Sequence, residues 1–446
     1  MRFSFSKLAE AIRASYWFVP SVMAFLAILL GAGMVWLDAV VADGILDGIG
    51  WYQSVKPEGA HQVLSTIAGS MITVAGVVFS ITIVAIAYAA SQYGPRVLTN
   101  FMGDRGNQVT LGTFIATFVY CLVVLRTIRG GDPEFVPQLA VIVGIALALC
   151  SIGVLIFFIH HVPQTIHVNS LVAHIGGQLL SSLGHRFPRS IGDPADDEEQ
   201  IEDDAAAAVA ALEAGRGVVP VPAAATGYVK ALDNDRLMST ARDRNLLVRL
   251  RYRPGDFVHT GRVLADAWPT ENVGDGDVAA LQASFAIGNK RTPAGDIDFL
   301  VDELAEIGGR ALSSGVNDPY TAIICLDWLG AAASELATRR MPSPRRVDKD
   351  GTVRVIALAD TFEGFIERGF GRLRPYVGRD VNASRHMLLT LRRIAEECRT
   401  ADQLRALRNA IADLVATAQR ELHQPSLDEV EAEAERARRF VEERQP

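Results

Sequence analysis

From Leu64 to Ala90 the chain reads LSTIAGSMITVAGVVFSITIVAIAYAA, without one charged side chain. At about 1.5 Å of rise per helical residue, this run is long enough to cross a hydrocarbon core of roughly 30 Å with some tilt. Gly94 and Pro95 then stop the helix, and Tyr93 and Arg96 are the aromatic and cationic anchors expected at a water interface. The run differs from an ordinary lipid-facing span. Thr66, Thr73 and Ser80 recur at every seventh position, Gly69 and Gly76 keep the same register, and Ser70 lies beside them. Small and hydroxyl residues thus form one stripe, while Met71, Ile72, Val78, Phe79, Ile81 and Val84 cover most of the rest. Such a stripe serves either a tight helix–helix seam or the wall of a narrow wet path.

Three further apolar runs accompany it. The expected transmembrane domain is 1–162, with helices at about 17–41, 62–90, 109–128 and 135–159. The first is too long for the apolar core of a signal peptide and reads as an uncleaved span. Only Asp38 and Arg126 carry charge within these runs, both near an end. Ion-coupled carriers usually bury carboxylates or histidines along their path, so the pattern disfavours a coupled carrier without disfavouring an uncoupled pore. Arg2, Lys7, Arg13, Arg96, Arg105, Arg186 and Arg189 flank one side of the spans, and Lys56, Arg126 and Arg129 the other. The excess of basic residues predicts both termini in the cytoplasm.

The net charge of −8 and a pI near 5.7, with no basic block after the spans, argue against a nucleic-acid partner. Cys121, Cys150, Cys325 and Cys398 form no CxxC pair, so free thiols are expected, with no disulfide framework and no zinc site. No cofactor motif is present: Walker, HExxH and GxSxG patterns are all missing.

The fourth span exits as FFIHHVP and continues as QTIHVNSLVAHIGGQLLSSL, expected to be a helical juxtamembrane stalk over 163–190. On a continuous helix His160, His167 and His174 share a face, but two turns, about 10 Å, separate neighbours. That is too far for one metal within one chain. These three and His161 read as interfacial histidines, with a pH-sensing stalk as the second reading.

GPRVLTNFMGDRGNQVTLGTFIATFVYCLVVLRTIR, FFIHHVP and RALSSGVNDPYTA together resemble a bacterial family of predicted inner-membrane proteins known only as a domain of unknown function. The resemblance extends over nearly the whole chain. It implies a multi-pass protein of the bacterial inner membrane and brings no established activity and no catalytic residues.

The remaining chain reads as a cytoplasmic α+β region. An acidic linker, 191–215, holds eight acids between Asp193 and Asp204. A small β module, 216–270, follows, with a turn at Arg253-Pro254-Gly255-Asp256. Its GDFVHTGRVLADA segment resembles the hairpin of barrel-sandwich folds, but Lys230 lies in a strand-like run and not at a tight turn, which speaks against carriage of biotin or lipoate. Region 275–446 is expected to be mainly helical, with a short strand at 352–358 and Phe362, Phe365 and Phe370 in its core. It holds the densest polar cluster, including Arg291, Asp298, Arg310, Asn317 and Asp318. Asp318 before Pro319 is a strong helix start. Two readings follow: a capped buried helix with its arginines paired to nearby acids, or a pocket for a small anionic ligand at that helix start.

Three function classes remain. One is a homo-oligomeric, channel-like protein in the lipid bilayer, regulated by its cytoplasmic region. Another is a membrane scaffold or adaptor without transport, and a third is a membrane-tethered enzyme using the Arg310–Asp318 region.

Overall fold

The structure, a computed structural model, describes residues 17–41, 56–94, 104–131, 134–186, 193–194, 217–291, 296–339, 341, 343–358 and 360–444. The flanking basic residues Arg2, Lys7, Arg13, Arg96 and Arg189, and the acidic segment beyond Pro194, lie outside them. The chain divides into two compact units, Met1–Ser170 and Leu171–Pro446.

The first unit is built from α1 (Phe18–Val41), α2 (Pro57–Tyr93), α3 (Arg105–Leu125) and α4 (Gln138–Ile166). All four are long and apolar enough to cross a membrane. α2 begins earlier than its charge-free run, because Pro57 occupies the first helical position, where a missing N–H costs nothing. The bundle is organised around α3 and not α2: half of the most apolar stretch of α3 is buried, against about a fifth in the others. α3 meets α1, α2 and α4, and its inward face is partly polar. Thr117 and Ser151 share a hydroxyl contact of 3.1 Å, and the Tyr120 hydroxyl donates to the Ala140 carbonyl at 2.8 Å. Gly112 lets α1 close on α3, since a Cβ there would sit 2.5 Å from Sδ of Met23. Outward faces carry Phe25, Leu29, Phe79, Val84, Leu149 and Ile156, the inside-out pattern of a bundle solvated by lipid tails.

Asp38, the charge near the end of the first span, has a structural explanation. Its carboxylate is 8% exposed and accepts the backbone N–H groups of Leu139 and Ala140 at 3.0 and 2.9 Å. Both are among the first N–H groups of α4, which have no partner inside their own helix. A residue 101 positions earlier thus caps α4.

In the second unit α5 (Val168–Arg186) comes first, burying Leu171, Val172, Ile175, Leu179 and Leu183. The indole of Trp328 rests on Gly176, so the expected stalk helix is docked within this unit along one face. The sheets follow: β1 (Asp193–Pro194), β2 (Val219–Pro222), β3 (Gly227–Leu232), β4 (Leu247–Leu250), β5 (Phe257–Val258), β6 (Val263–Trp268), β7 (Phe285–Gly288), β8 (Arg345–Val347) and β9 (Val353–Ile356). Their orders are β1-β8-β9-β4-β6-β2 and β5-β3-β7. Every pairing is antiparallel except β4 with β9, where Val248 faces Val355. β5 and β6 go to different sheets and neither sheet closes, so GDFVHTGRVLADA is no hairpin. Pro220 and Pro222 in β2 blunt the edge of the larger sheet. Val221, Val229, Leu246, Val248, Leu264, Leu281, Phe285 and Val355 form the core, with α6 (Asn234–Asp243) and α7 (Asp275–Ala283) against it.

The helical part contains α8 (Ile297–Ala311), α9 (Pro319–Thr338), α10 (Phe362–Ile366), a π turn at Glu367–Gly371, and α11 (Arg372–Val377). α12 (Val381–Glu397), α13 (Ala401–Glu421) and α14 (Ser426–Glu443) complete it. Phe362, Phe365 and Phe370 are buried, as their spacing predicts. The charged last helix packs on its own chain, turning Val430, Ala434, Ala437 and Val441 toward α12 and α13.

Candidate functional site

The stripe on α2 lies on the side away from the bundle. Leu64, Ala68, Met71, Ala75, Val78 and Thr82 are buried, whereas Thr66, Gly69, Ser70, Thr73, Gly76 and Ser80 are exposed. At 100° per residue the two sets occupy opposite faces. A Cβ at Gly69 or Gly76 would meet nothing within 4 Å. The stripe is therefore not a seam within this bundle. The hydroxyls of Thr66, Ser70, Thr73 and Ser80 each donate to the carbonyl four residues back, at 2.7–2.9 Å. That keeps their protons satisfied in lipid and leaves the oxygen lone pairs facing outward.

The histidines separate. α4 ends at Ile166 and His167 adopts extended backbone before α5 begins, so no continuous helix aligns His160, His167 and His174. His160 and His174 contact Gln164 and Gln178 one turn on, each at 2.9 Å. His161 does more: its Nε2 lies 3.0 Å from Oδ1 of Asp104, and its ring stacks on Phe157. Asp104 also caps α3 by accepting the Asn107 N–H at 2.8 Å. Two of the three quoted motifs thus meet at one contact. Asp104 was hidden in sequence, although an Asp three residues before the N–H it caps is a legible signal.

The polar cluster of the second unit splits into two groups at opposite ends of α8, whose 15 residues span about 22 Å. At the first end Asp302, 4% exposed, receives Arg291 Nη1 at 2.7 Å, Arg368 Nη1 at 3.1 Å and Arg372 Nη1. Arg291 also meets Asp296 at 2.9 Å, and Arg368 meets Asp298 at 3.1 Å. Burial alone would loosen the Arg291 proton, but its bonds to Asp302 and Asp296 outweigh that and hold the guanidinium charged. Gly255, at φ +99°, brings the Arg253–Asp256 turn over this pair; a Cβ there would touch Oδ2 of Asp296 at 2.5 Å. Arg368 and Arg372 escape sequence reading because they come from a segment 66 and 70 residues beyond Asp302.

At the other end Arg310 lies on Glu306 at 3.3 Å. Asn317, at φ +49°, turns the chain, which its short amide side chain tolerates. Asp318 accepts both the N–H and the hydroxyl of Thr321, at 3.2 and 2.6 Å, filling the start of α9 with its own carboxylate. That geometry matches a capped helix better than an open anion pocket. Among the described residues no group of three side chains could hold a metal ion.

The sequence profile of the family described as "Predicted membrane protein (DUF2254)" matches residues 13–393. Uncharacterized proteins of Mycobacterium bovis and of two Mycobacterium tuberculosis strains are each 31% identical over 422 residues, covering 93% of this chain and 78% of theirs. No solved structure matches the chain. Four spans around a central α3, with motifs that converge on Asp104 and His161, therefore belong to a member of the DUF2254 family of predicted membrane proteins.

Proposed function

We propose that copies of this chain assemble in the bacterial inner membrane, both termini in the cytoplasm, as a channel-like homo-oligomer whose α2 helices turn their stripes inward. The observation that carries this reading is the outward exposure of Thr66, Gly69, Ser70, Thr73, Gly76 and Ser80, opposite the face α2 uses inside its own bundle. An isolated chain surrounded by lipid gains nothing from a row of hydroxyls and gaps, whereas close helix approach or a wet path uses both. The absence of charge along this stripe suits an uncoupled path. The cytoplasmic α+β region regulates it through the chain segment leaving His161 and Pro163 toward α5.

Thr73→Leu tests the reading. In purified, folded protein of known subunit count, conductance across a bilayer falls in that variant. A monomer in native-membrane nanodiscs, or wild-type conductance in Thr73→Leu, removes the pore. A scaffold without transport is the second reading, favoured by hydroxyls that already satisfy themselves on their own helix. It requires an assembly that conducts nothing.

A further inference from the structure

The larger sheet places β1 at one margin and β2 at the other, although the two are consecutive strands in the chain. At about 4.8 Å between adjacent strands, five steps separate them by about 24 Å. Residues 195–216, which join them, lie outside the described residues. That stretch has to travel from one margin to the other, over a face of the sheet or past the strand ends. Its 22 residues reach that far even at the helical rise of about 1.5 Å each. One face is already filled, because Val221, Val248 and Val355 pack there against Leu237 of α6 and Leu281 of α7.

The other face is apolar and open. Leu247 and Val353 lie at its centre, with Val218, Trp268, Val347 and Ile356 half-buried around them. The ladders put these side chains on one side: Leu247 pairs with Trp268, Val347 with Val353, and Ile356 with both Arg249 and Arg345. Among the described residues, no apolar side chain from another layer joins the cluster. A sheet face of this kind is stable in water only when a second layer covers it. Its charge is also unbalanced. Arg249 and Arg251 share the single carboxylate of Asp266, at 2.9 and 2.7 Å, and Arg345 forms no ion pair among the described residues. The neighbouring Arg354 is matched by Asp348. Residues 196–204 hold seven acids and no base, and Ile201, Val209 and Leu212 punctuate the alanines around them. The joining stretch therefore carries both complements of the open face, negative charge and apolar side chains.

We propose that this chain's own segment 195–216 docks across the open face of the larger sheet. Its apolar side chains rest on Leu247, Trp268 and Ile356, and its acids answer Arg249, Arg251 and Arg345. Tethering at both margins favours this occupant over any other, because docking is then intramolecular and no partner has to be recruited from solution. The seat lies wholly within the second unit and is independent of the assembly proposed for the membrane unit, so either reading can fail alone.

The test places the photo-crosslinking residue p-benzoylphenylalanine at Ile201, Val209 or Leu212 in turn, in the full-length protein in detergent. Irradiation joins at least one of these positions, within a single chain, to a peptide containing β4, β6, β8 or β9, located by mass spectrometry. Iodoacetamide labelling of Val209→Cys, followed on its own peptide, runs about fivefold faster when Arg345→Glu turns one attraction into a repulsion. The crosslinks need no change in the sheet, so they decide the matter even if Arg345→Glu does not fold. The proposal is overturned if the crosslinks join two copies, reach only other parts of the chain or do not form. It is equally overturned if a folded Arg345→Glu leaves the labelling rate of Val209→Cys unchanged.

Discussion

Nε2 of His161 sits between both carboxylate oxygens of Asp104, at 3.0 and 3.3 Å, joining residues 57 positions apart. The same carboxylate caps α3, so one side chain fixes the start of one span and the end of another. Gly106 permits the approach, because a Cβ there would lie 2.5 Å from His161 Nε2.

Asp104→Ala removes cap and clamp together and should destabilise the membrane unit by about 1–2 kcal/mol, the sum of a lost cap and a partly exposed pair. Asp104→Asn keeps the cap and should cost less. Thermal unfolding in detergent measures both. A double-mutant cycle with His161→Ala isolates the clamp, and additive losses would deny the coupling.

Asp302 anchors three arginines while almost wholly buried. Asp302→Asn leaves Arg291 and Arg368 short of negative charge, a change of about 3–5 kcal/mol when a buried pair loses one partner. Removing the half-exposed Arg372 should cost under about 1 kcal/mol. Chemical denaturation of the two variants should rank them in that order.

Asp348 gives a pH dependence. Burial alone would raise its carboxyl, but Arg354 Nε at 2.7 Å and the N–H groups of Thr352 and Asp350 hold it below the ordinary value of 3.8. A depressed folded pKa contributes stability above pH 4, and that contribution is lost as pH falls through the folded value. Asp348→Asn should therefore be less stable than wild type by about 1–2 kcal/mol at neutral pH, with the gap narrowing below pH 4. A gap that is constant with pH would remove the carboxylate from the account.

The membrane half was legible because hydrocarbon allows so few solutions: four charge-poor runs gave four helices with ends displaced by a few residues. What was not legible was which helix is central. α2 has the longest run, but α3 carries Thr117 and Tyr120, whose partners Ser151 and Ala140 lie on another helix. In the second unit, helix starts such as Asp318 are local and readable, whereas the sheet draws β9 beside β4 across about a hundred residues, a pairing that no local pattern encodes. The residues of the polar cluster do not gather at one point, because Arg291 bonds to Asp296 and Asp302 towards the start of α8 whereas Arg310 lies at its far end.

The thiols of the second unit should be silent in the folded state. Cys398 is buried and donates to the Ile394 carbonyl, and burial pushes its pKa up to about 11; burial raises Cys325 as well. At pH 8 neither offers an exposed thiolate to iodoacetamide, so mass spectrometry should find both unmodified until denaturant is added. Labelling of either in native protein would show that the core opens readily.

Gly69 and Gly76 provide the sharpest test of what faces the stripe. Inside one chain, a side chain at either position meets open space, so Gly69→Leu with Gly76→Leu should leave the bundle's own packing and melting temperature unchanged. Between copies, the same two residues would hold facing helices apart, because close approach depends on positions that lack a side chain. The double variant should therefore unfold like wild type but elute from size-exclusion chromatography as a smaller assembly. An unchanged assembly size in that variant means the stripe faces lipid alone, and subunit contacts, if the chain makes them, use another face.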